Sequence, residues 1–155
     1  MRAVVQRAAR AAVSVDTTTV GAIGPGLAVF VGVGAGDDNA VATRLAARVA
    51  TLRVFPDDAG RMNLDVSQSG GELLVVSQFT LFADTARGHR PSFAEAAAPV
   101  EAERLYEVFI DAARQRGLRV ATGRFGARMR VELVNDGPVT IVLSSGEEPW
   151  NADAG

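Results

Sequence analysis

Two short apolar stretches, residues 27–33 and 73–79, leave few choices for the architecture of this chain. Residues 27–33 are apolar at successive positions, so both faces of a strand formed there must be covered by other parts of the protein. Glycine and proline at 21–26 and glycines at 70–71 mark a turn before each stretch. We therefore predict two buried strands, with residues 27–33 near the centre of a sheet.

Two other segments carry apolar residues at the three- and four-residue spacing of an amphipathic helix. The first follows Asp37 and Asp38, either of which can cap its amino end. The second begins near Pro99, where proline suits a first turn, and stops at Gly117. The apolar positions are Val41, Leu45, Val49 and Leu52 in the first helix and Val100, Leu105, Val108, Phe109 and Ala112 in the second. The sequence thus predicts two main helices.

The rest of the chain supplies further strands and loops. Residues 3–15 are typical of a strand that is interrupted near 8–12 and belongs to a hairpin, and residues 131–134 and 139–143 predict two strands around a tight loop. The segment between the breaks at 55–60 and 70–71 is predicted to be loop. The fold class is therefore α/β, with mixed, largely antiparallel, barrel-like β-sheets and two main helices packed on one side.

At 155 residues the chain fits one domain. We assign that domain to residues 1–145 and expect the polar tail, residues 146–155, to be poorly ordered. No apolar run reaches the roughly 18 residues that a membrane helix needs. Arginines also interrupt the apolar start of the chain, unlike in a signal peptide. We expect a cytoplasmic protein with no membrane partner.

Cysteine is absent from the sequence, and His89 is its only histidine. Disulfides, thiolate nucleophiles and cysteine metal sites are therefore excluded. A zinc site or a Ser-His-Asp triad would have a single histidine to draw on. We expect neither a metal nor another cofactor, so any catalysis must use less usual groups.

The cations are unusual because, apart from His89, all of them are arginine. A net charge of −2 argues against a general nucleic-acid coat protein, which needs many contacts to phosphate. Six arginines nevertheless fall within one short stretch: Arg114, Arg116, Arg119, Arg124, Arg128 and Arg130. This stretch is either a basic surface for phosphate or an ordinary solvated face, and a GC-rich coding sequence would also favour arginine.

Two polar segments are candidates for a site. Ser77, Gln78 and Thr80 close a strand that is apolar up to that point. Strand ends often carry sites, but the hydroxyls can equally satisfy local backbone groups. In the second segment, residues 135–140, proline follows glycine, an order that a hairpin turn does not ordinarily use. The Gly137-Pro138 peptide bond is either cis, as in some tight turns, or trans.

Both segments occur in the order and spacing of the D-aminoacyl-tRNA deacylases, once called D-tyrosyl-tRNA deacylases, and the chain resembles that family from residue 1 to about 145. The blocks that carry the resemblance are MRAVVQR, LRVFPDDAGRMNLDV, GGELLVVSQFTLFAD, RGHRPSF, FGARM and NDGPVT. Several separated blocks in a fixed order are far more specific than one short motif. The resemblance implies an enzyme that hydrolyses the ester bond of D-aminoacyl-tRNA, a carboxylic ester hydrolase of translation quality control.

The resemblance also implies a homodimer with its active sites at the subunit interface. The Gly137-Pro138 loop of one subunit would reach into its partner's pocket with a cis peptide bond and both carbonyl oxygens pointing the same way. Arg7 would hold this loop through hydrogen bonds, and Met129 would pack beside it. The partner molecule would be the 3′ end of aminoacyl-tRNA, and no DNA partner is implied.

We assign the chemistry to residues 77–80. Backbone N–H groups around Phe79 and Thr80 would stabilise the oxyanion, and Ser77, Gln78 and Thr80 would shape the pocket. Because no paired base is evident for the Thr80 hydroxyl, we favour attack by water that the ribose 2′-hydroxyl helps to position. A Gly-Pro wall that blocks an L side chain leaves the D side chain free to project outward, and it cannot exclude achiral glycine, so glycyl-tRNA should also be a substrate.

Two other classes of function stay open on the sequence alone. One is a non-catalytic tRNA-binding or editing-like module, which turnover would distinguish. The other is a structural dimer in which the Gly-Pro loop only holds the interface. The polar cluster at residues 77–80 argues mildly against the second.

Overall fold

The computed structural model describes residues 1–86 and 88–146 of the chain. In chain order its strands are β1 (Arg2–Val15), β2 (Thr18–Ile23), β3 (Gly26–Gly32), β4 (Phe55–Pro56), β5 (Met62–Leu64), β6 (Glu72–Ser77), β7 (Val120–Thr122) and β8 (Met129–Ser144). Two α-helices, α1 (Asn39–Ala50) and α2 (Pro99–Arg114), and a short 3-10 turn, Phe79–Phe82, complete the regular structure of that part.

The sheet is built around β1, which is hydrogen-bonded along both edges. β2 and β3 pair antiparallel with one edge, and β8 pairs antiparallel with the other. Beyond β3, β6 and then β7 add as parallel strands. β7 curls back toward β2, so that a Cβ atom on Gly21 would lie 2.5 Å from the carbonyl oxygen of Thr122. The mixed, largely antiparallel, barrel-like sheet is confirmed.

Apolar side chains pack on both faces of this curved sheet and form two cores. Inside the barrel lie small and branched side chains, namely Ala8, Ala11, Val13, Ile23, Ala28, Leu74 and Val76. On the outer face, α1 and α2 pack side by side and bury Leu45, Leu105 and Phe109 almost completely. On β3, Leu27 belongs to the outer core and Ala28 to the inner one, which confirms that this strand is covered on both faces.

Both predicted helices are confirmed, with their ends fixed as the sequence indicates. The Asp38 side chain caps α1 by accepting a hydrogen bond from the Val41 N–H at 2.8 Å. Asp37 instead accepts a bond from the Gly34 N–H at 2.6 Å. Pro99 is the first residue of α2, where its missing N–H removes no helical hydrogen bond. In the described part of the chain, neither helix is long and apolar enough to cross a membrane.

The predicted interruption of the first strand near residues 8–12 is wrong, whereas its hairpin is confirmed. β1 runs unbroken to Val15 and turns through Asp16, at a φ of 54°, into β2. The pairing of β1 with β8 slips at Ala8, which changes the set of residues that point into the barrel. A simple alternation of apolar and polar residues is therefore lost in a strand that remains continuous.

The prediction of two strands around a tight loop at residues 131–143 is also wrong. Both segments belong to β8, and both pair with β1 rather than with each other. Thr140 lies opposite Gln6 and Asn135 lies opposite Ala8, so residues 136–139 form an insertion between these pairs. We call this insertion the Gly-Pro bulge. The sequence did not distinguish a bulge from a tight loop, because the difference depends on pairing with β1, which is distant in the chain.

Smaller differences concern short elements. The predicted loop between the breaks at residues 55–60 and 70–71 contains β5, which pairs with β4. The second apolar strand ends at Ser77, where the chain enters the 3-10 turn, instead of at residue 79. β7 was not predicted, because three half-buried residues give too short a pattern. Of the tail that we expect to be poorly ordered, residues 147–155 lie outside the described residues.

Candidate active site

A cavity of about 700 Å³ opens where β3 and β6 end beside the amino end of α2. Because β3 and β6 are parallel, their carboxyl ends meet at one edge of the sheet, and the segments that follow line the same space. One wall of the cavity is formed by Ser77, Gln78 and Phe79. Another is formed by Phe125, in the segment that leads into β8, and by Met129, the first residue of β8. Most of the lining is apolar, as in sites that hold a small ligand group.

Tyr106 of α2 closes the floor of the cavity. Its side chain is buried, and its hydroxyl donates a hydrogen bond to the Val75 carbonyl oxygen at 2.8 Å. Its ring packs against Phe125, with the ring centroids 5.9 Å apart. Burial raises the pKa of the Tyr106 hydroxyl, which therefore stays neutral and remains a hydrogen-bond donor. The floor is rigid and uncharged.

The structure brings Ser77, Gln78 and Phe79 to the lining of the cavity, whereas Thr80, the next residue in the chain, is not part of that lining. The Gln78 N–H extends the sheet by donating to the Val31 carbonyl oxygen at 2.7 Å. Phe79 is 57% exposed and stacks edge to face on Phe93, with their centroids 5.0 Å apart. The exposed Thr80 hydroxyl accepts a hydrogen bond from the Gln78 amide. The cavity mouth thus combines an aromatic pair with a cluster of polar groups.

Two backbone N–H groups, those of Phe79 and Thr80, have no acceptor among the residues that the structure describes. They are the first residues of the 3-10 turn, and the first N–H groups of a helical turn have no partner within the turn. Such groups are preorganised hydrogen-bond donors. They can stabilise negative charge that develops on a carbonyl oxygen.

Arg2 braces the 3-10 turn, a role that our sequence reasoning missed. Its guanidinium donates to the Leu81 carbonyl oxygen at 2.9 Å and lies 4.5 Å from the centre of the Phe82 ring. Gly34 allows this ring to approach closely, because a Cβ atom there would lie 2.7 Å from it. A single arginine at the start of a strand carries no pattern, so only the fold reveals the contact.

The Gly-Pro bulge is held by Arg7. The Arg7 Nε atom lies 3.1 Å from the Asp136 carbonyl oxygen, to which it donates, and 3.2 Å from the Asp136 carboxylate. A second nitrogen of the same guanidinium donates to the Val54 carbonyl oxygen at 2.5 Å. Gly137 has a φ of 126°, and the Gly137-Pro138 peptide bond is cis. Arg7 therefore ties the exposed bulge to the body of the domain.

The bulge does not line the cavity of its own chain. The lining of the cavity includes none of residues 136–139. Met129, which does line it, is the first residue of β8 and pairs with Val15. Within one chain, then, the two candidate segments do not form a single site.

The remaining candidate groups stand apart from this chemistry. His89 is exposed in the segment after the 3-10 turn. Three of the six clustered arginines, Arg124, Arg128 and Arg130, are exposed and make no ion pair with any described residue. Arg114 and Arg119 pair with acids. No group of three or more His, Asp or Glu side chains within residues 1–86 and 88–146 could hold a metal ion.

Comparisons with known proteins give a consistent result. Residues 4–144 match the family model described as D-Tyr-tRNA(Tyr) deacylase. A relative from Roseiflexus sp. (strain RS-1), named D-aminoacyl-tRNA deacylase, is 56% identical over 153 residues, covering 97% of this chain and 99% of the relative. A relative of the same name from Thermotoga petrophila is 57% identical over 145 residues, covering 94% and 97%.

Two solved structures have closely similar folds. The c-Myc DNA Unwinding Element Binding Protein superposes with a TM-score of 0.89 at 38% identity, covering 94% of this chain and 99% of that protein. A structure described as a probable eukaryotic D-amino acid tRNA deacylase has a TM-score of 0.81 at 17% identity, covering 92% and 97%. The second likeness concerns the fold alone.

Proposed function

Because this chain belongs to the D-Tyr-tRNA(Tyr) deacylase family, we propose that it hydrolyses the ester bond between a D-amino acid and the 3′ end of tRNA. The observation that carries the proposal is the cavity at the end of β6, which Phe79 lines and next to which the N–H groups of Phe79 and Thr80 have no acceptor among the described residues. An ester carbonyl placed at the mouth would find two donors for the charge that develops on its oxygen. We expect the protein in the cytoplasm with its substrate.

The chemical step needs little more than positioning, since an aminoacyl ester is already activated. One oxyanion donor contributes about 3–4 kcal/mol to catalysis. The Thr80 hydroxyl is held by the Gln78 amide, and no carboxylate or imidazole among the described residues hydrogen-bonds to it as a base would. We therefore assign the attack to water, positioned by the ribose 2′-hydroxyl and backbone groups, while Ser77, Gln78 and Thr80 shape the pocket.

We further propose a homodimer in which the Gly-Pro bulge of each subunit enters the cavity of the other. Three observations support this arrangement: the bulge is exposed, it is braced by Arg7, and it does not line the cavity of its own chain. In such a dimer the bulge would approach Met129 of the second copy. An isologous pairing of this kind produces two equivalent sites.

This arrangement explains how a site could select one hand of an amino acid. If the α-amino group and the carbonyl of the substrate are fixed, two directions remain at Cα, one for hydrogen and one for the side chain. Main-chain atoms of Gly137 and Pro138 would occupy the direction that an L side chain needs, whereas a D side chain would point outward. L-aminoacyl-tRNA would be rejected, many D-amino acids would be accepted, and glycyl-tRNA would be hydrolysed too.

Contacts to the RNA would come from residues 124–130, several of which line the cavity. Apolar residues that line the cavity alternate there with exposed arginines, in the order Arg124, Phe125, Ala127, Arg128, Met129 and Arg130. Free guanidinium groups bind phosphate in two places without reading sequence. A tRNA defined by its end and shape would suit this surface, and we expect no DNA partner.

The test is to incubate the purified protein with D-tyrosyl-tRNA and, separately, with L-tyrosyl-tRNA and to follow release of the amino acid. The proposal predicts multiple turnovers with the D substrate and little release from the L substrate. Binding of tRNA without turnover would instead support a non-catalytic module. If the protein neither bound tRNA nor turned it over, a structural dimer would be the remaining function. Equal rates for both substrates would contradict selection by the bulge.

A further inference from the structure

The two residues that flank the Gly-Pro bulge meet at a single oxygen atom. Gln6 Oε1 accepts a hydrogen bond from Asn135 Nδ2 at 2.7 Å and another from Thr140 Oγ1 at 2.9 Å. Asn135 is the last paired residue before the bulge, and Thr140 is the first one after it. The Gln6 side chain therefore closes the base of the bulge by linking its two ends.

This link differs from the Arg7 contact in what it holds. Arg7 binds Asp136, inside the bulge on its amino-terminal side, so it limits where the bulge points. Gln6 touches neither Gly137 nor Pro138 through its hydrogen bonds, but it fixes the spacing between the two ends from which they project. Two consecutive residues of β1 thus act on the bulge in different ways.

The Asn135 side chain depends on Gln6. Its Oδ1 atom is buried and has no hydrogen-bond partner among the described residues, so the bond from Nδ2 to Gln6 is what orients the amide in that part of the structure. Without the Gln6 oxygen, both polar ends of a half-buried amide would lack partners. A buried polar group in that condition tends to reorganise toward water.

We propose that Gln6 is a positioning residue that sets the discrimination between D- and L-aminoacyl esters, through the spacing of the bulge and without touching the substrate. This inference rests on the proposed function, because it assumes that the bulge is the wall that excludes the L side chain. What Gln6 contributes is a hydrogen-bond acceptor. Its amide nitrogen takes no part in either bond.

The experiment measures kcat/KM for D-tyrosyl-tRNA and for L-tyrosyl-tRNA with full-length variants, together with the thermal unfolding midpoint and the oligomeric state. Gln6→Met keeps the length of the side chain and removes the acceptor. The ratio of kcat/KM for D-tyrosyl-tRNA to kcat/KM for L-tyrosyl-tRNA, the D-to-L ratio, should therefore fall at least about tenfold. Gln6→Glu keeps an acceptor oxygen and should restore most of the ratio. Gln115→Met makes the same chemical change at an exposed position and should leave the ratio unchanged.

Thr140→Val provides a second test, which does not depend on whether the Gln6→Met protein folds. Thr140 is exposed, and the change removes one of the two bonds while keeping the shape of the side chain. Its D-to-L ratio should fall about threefold. If both Gln6→Met and Thr140→Val kept the D-to-L ratio of the unmodified protein, the proposed role of Gln6 would be overturned. The proposed function would not be affected by that result. No D-to-L preference in the unmodified protein would overturn both.

Discussion

The segment at residues 77–80 and the Gly-Pro bulge are held in place by different means. The first continues a buried parallel strand, donates from Gln78 to the backbone of β3, and leads into a turn that packs on Arg2. The bulge interrupts the pairing of two strands and depends on two side chains, Gln6 and Arg7. The comparison teaches that the segment proposed for catalysis continues a buried strand, whereas the segment proposed for selection is an exposed addition to the sheet.

This contrast has a consequence for mutations. Changes at the bulge should alter selectivity and activity while the domain keeps its stability, because the bulge contributes few buried contacts. Changes near residues 77–80 should reduce the rate without altering which hand of substrate is preferred. The following variants test this division, in order of decreasing expected effect.

Gly137→Ala should have the largest effect. An added Cβ would lie 2.8 Å from the Val139 side chain and 2.9 Å from the Arg7 guanidinium, at a φ of 126° that residues with side chains rarely adopt. Backbone strain of this kind costs about 1–3 kcal/mol. Because about 1.4 kcal/mol corresponds to tenfold in rate, we expect kcat/KM for D-tyrosyl-tRNA to fall by up to roughly 100-fold.

Gly24→Ala is the matched control for that variant, since nothing lies within 4 Å of a Cβ placed there. It should keep nearly full activity. Circular dichroism and the thermal midpoint of both variants would show whether the domain remains folded. Equal losses of activity in the two alanine variants would mean that the bulge has no special role.

Arg7→Lys should reduce the D-to-L ratio about 20-fold. Lysine keeps the charge but cannot reach Asp136 and the Val54 carbonyl oxygen together, as the guanidinium does. Hydrogen bonds to charged groups contribute about 1.5–3 kcal/mol. The measurement is kcat/KM for both substrates, with Arg10→Lys, an exposed change on the same strand, as the control. If Arg7→Lys left the D-to-L ratio unchanged, the position of the bulge would not determine selectivity.

Thr80→Ala should lower kcat for D-tyrosyl-tRNA about tenfold and leave the D-to-L ratio unchanged. The variant removes the partner of the Gln78 amide and loosens the cavity mouth, but the N–H groups of residues 79 and 80 remain, and one such donor is worth about 3–4 kcal/mol. Single-turnover kinetics measure the effect. A complete loss of activity in a folded Thr80→Ala protein would instead indicate a covalent route through the hydroxyl.

Arg2→Met should have the smallest effect, a decrease in kcat of about fivefold. It removes the bond to the Leu81 carbonyl oxygen and the cation above the Phe82 ring, which together are worth about 1 kcal/mol. Arg2→Lys retains a cation above the ring and should recover part of the rate. If Arg2→Met changed the D-to-L ratio more than kcat, the assignment of rate to residues 77–80 and of selectivity to the bulge would be wrong.

The sequence predicts those parts of the molecule that burial dictates. Residues 27–33 follow from a continuous apolar run and both helices from apolar periodicity, and Asp38 and Pro99 mark helix starts because capping is a local effect. The Gly-Pro bulge was predicted as a tight loop between two strands, since its geometry depends on pairing with β1, which is distant in sequence. The polar residues that end an apolar strand pointed to residues 77–80, whereas only the resemblance to a family pointed to Arg7.

The contacts of Gln6 and Arg2 were not predictable for a related reason. Each depends on bringing residues more than 70 positions apart into hydrogen-bond distance, and neither residue stands in a local pattern. A polar side chain on a strand usually faces solvent, so its sequence position alone does not distinguish a structural contact from an exposed one. Only the assembled sheet brings these residues to the ends of the bulge and the turn.

The central claim is that the bulge of one copy completes the cavity of another, and mixing two disabled variants tests it most directly. Gly137→Ala disables the bulge, and Ala127→Trp fills the cavity, which Ala127 lines. Random pairing after co-expression makes half of the dimers mixed, each with one intact cavity facing one intact bulge. The account predicts about a quarter of the unmodified turnover of D-tyrosyl-tRNA in the mixture. Turnover no higher than that of the separate variants would contradict it.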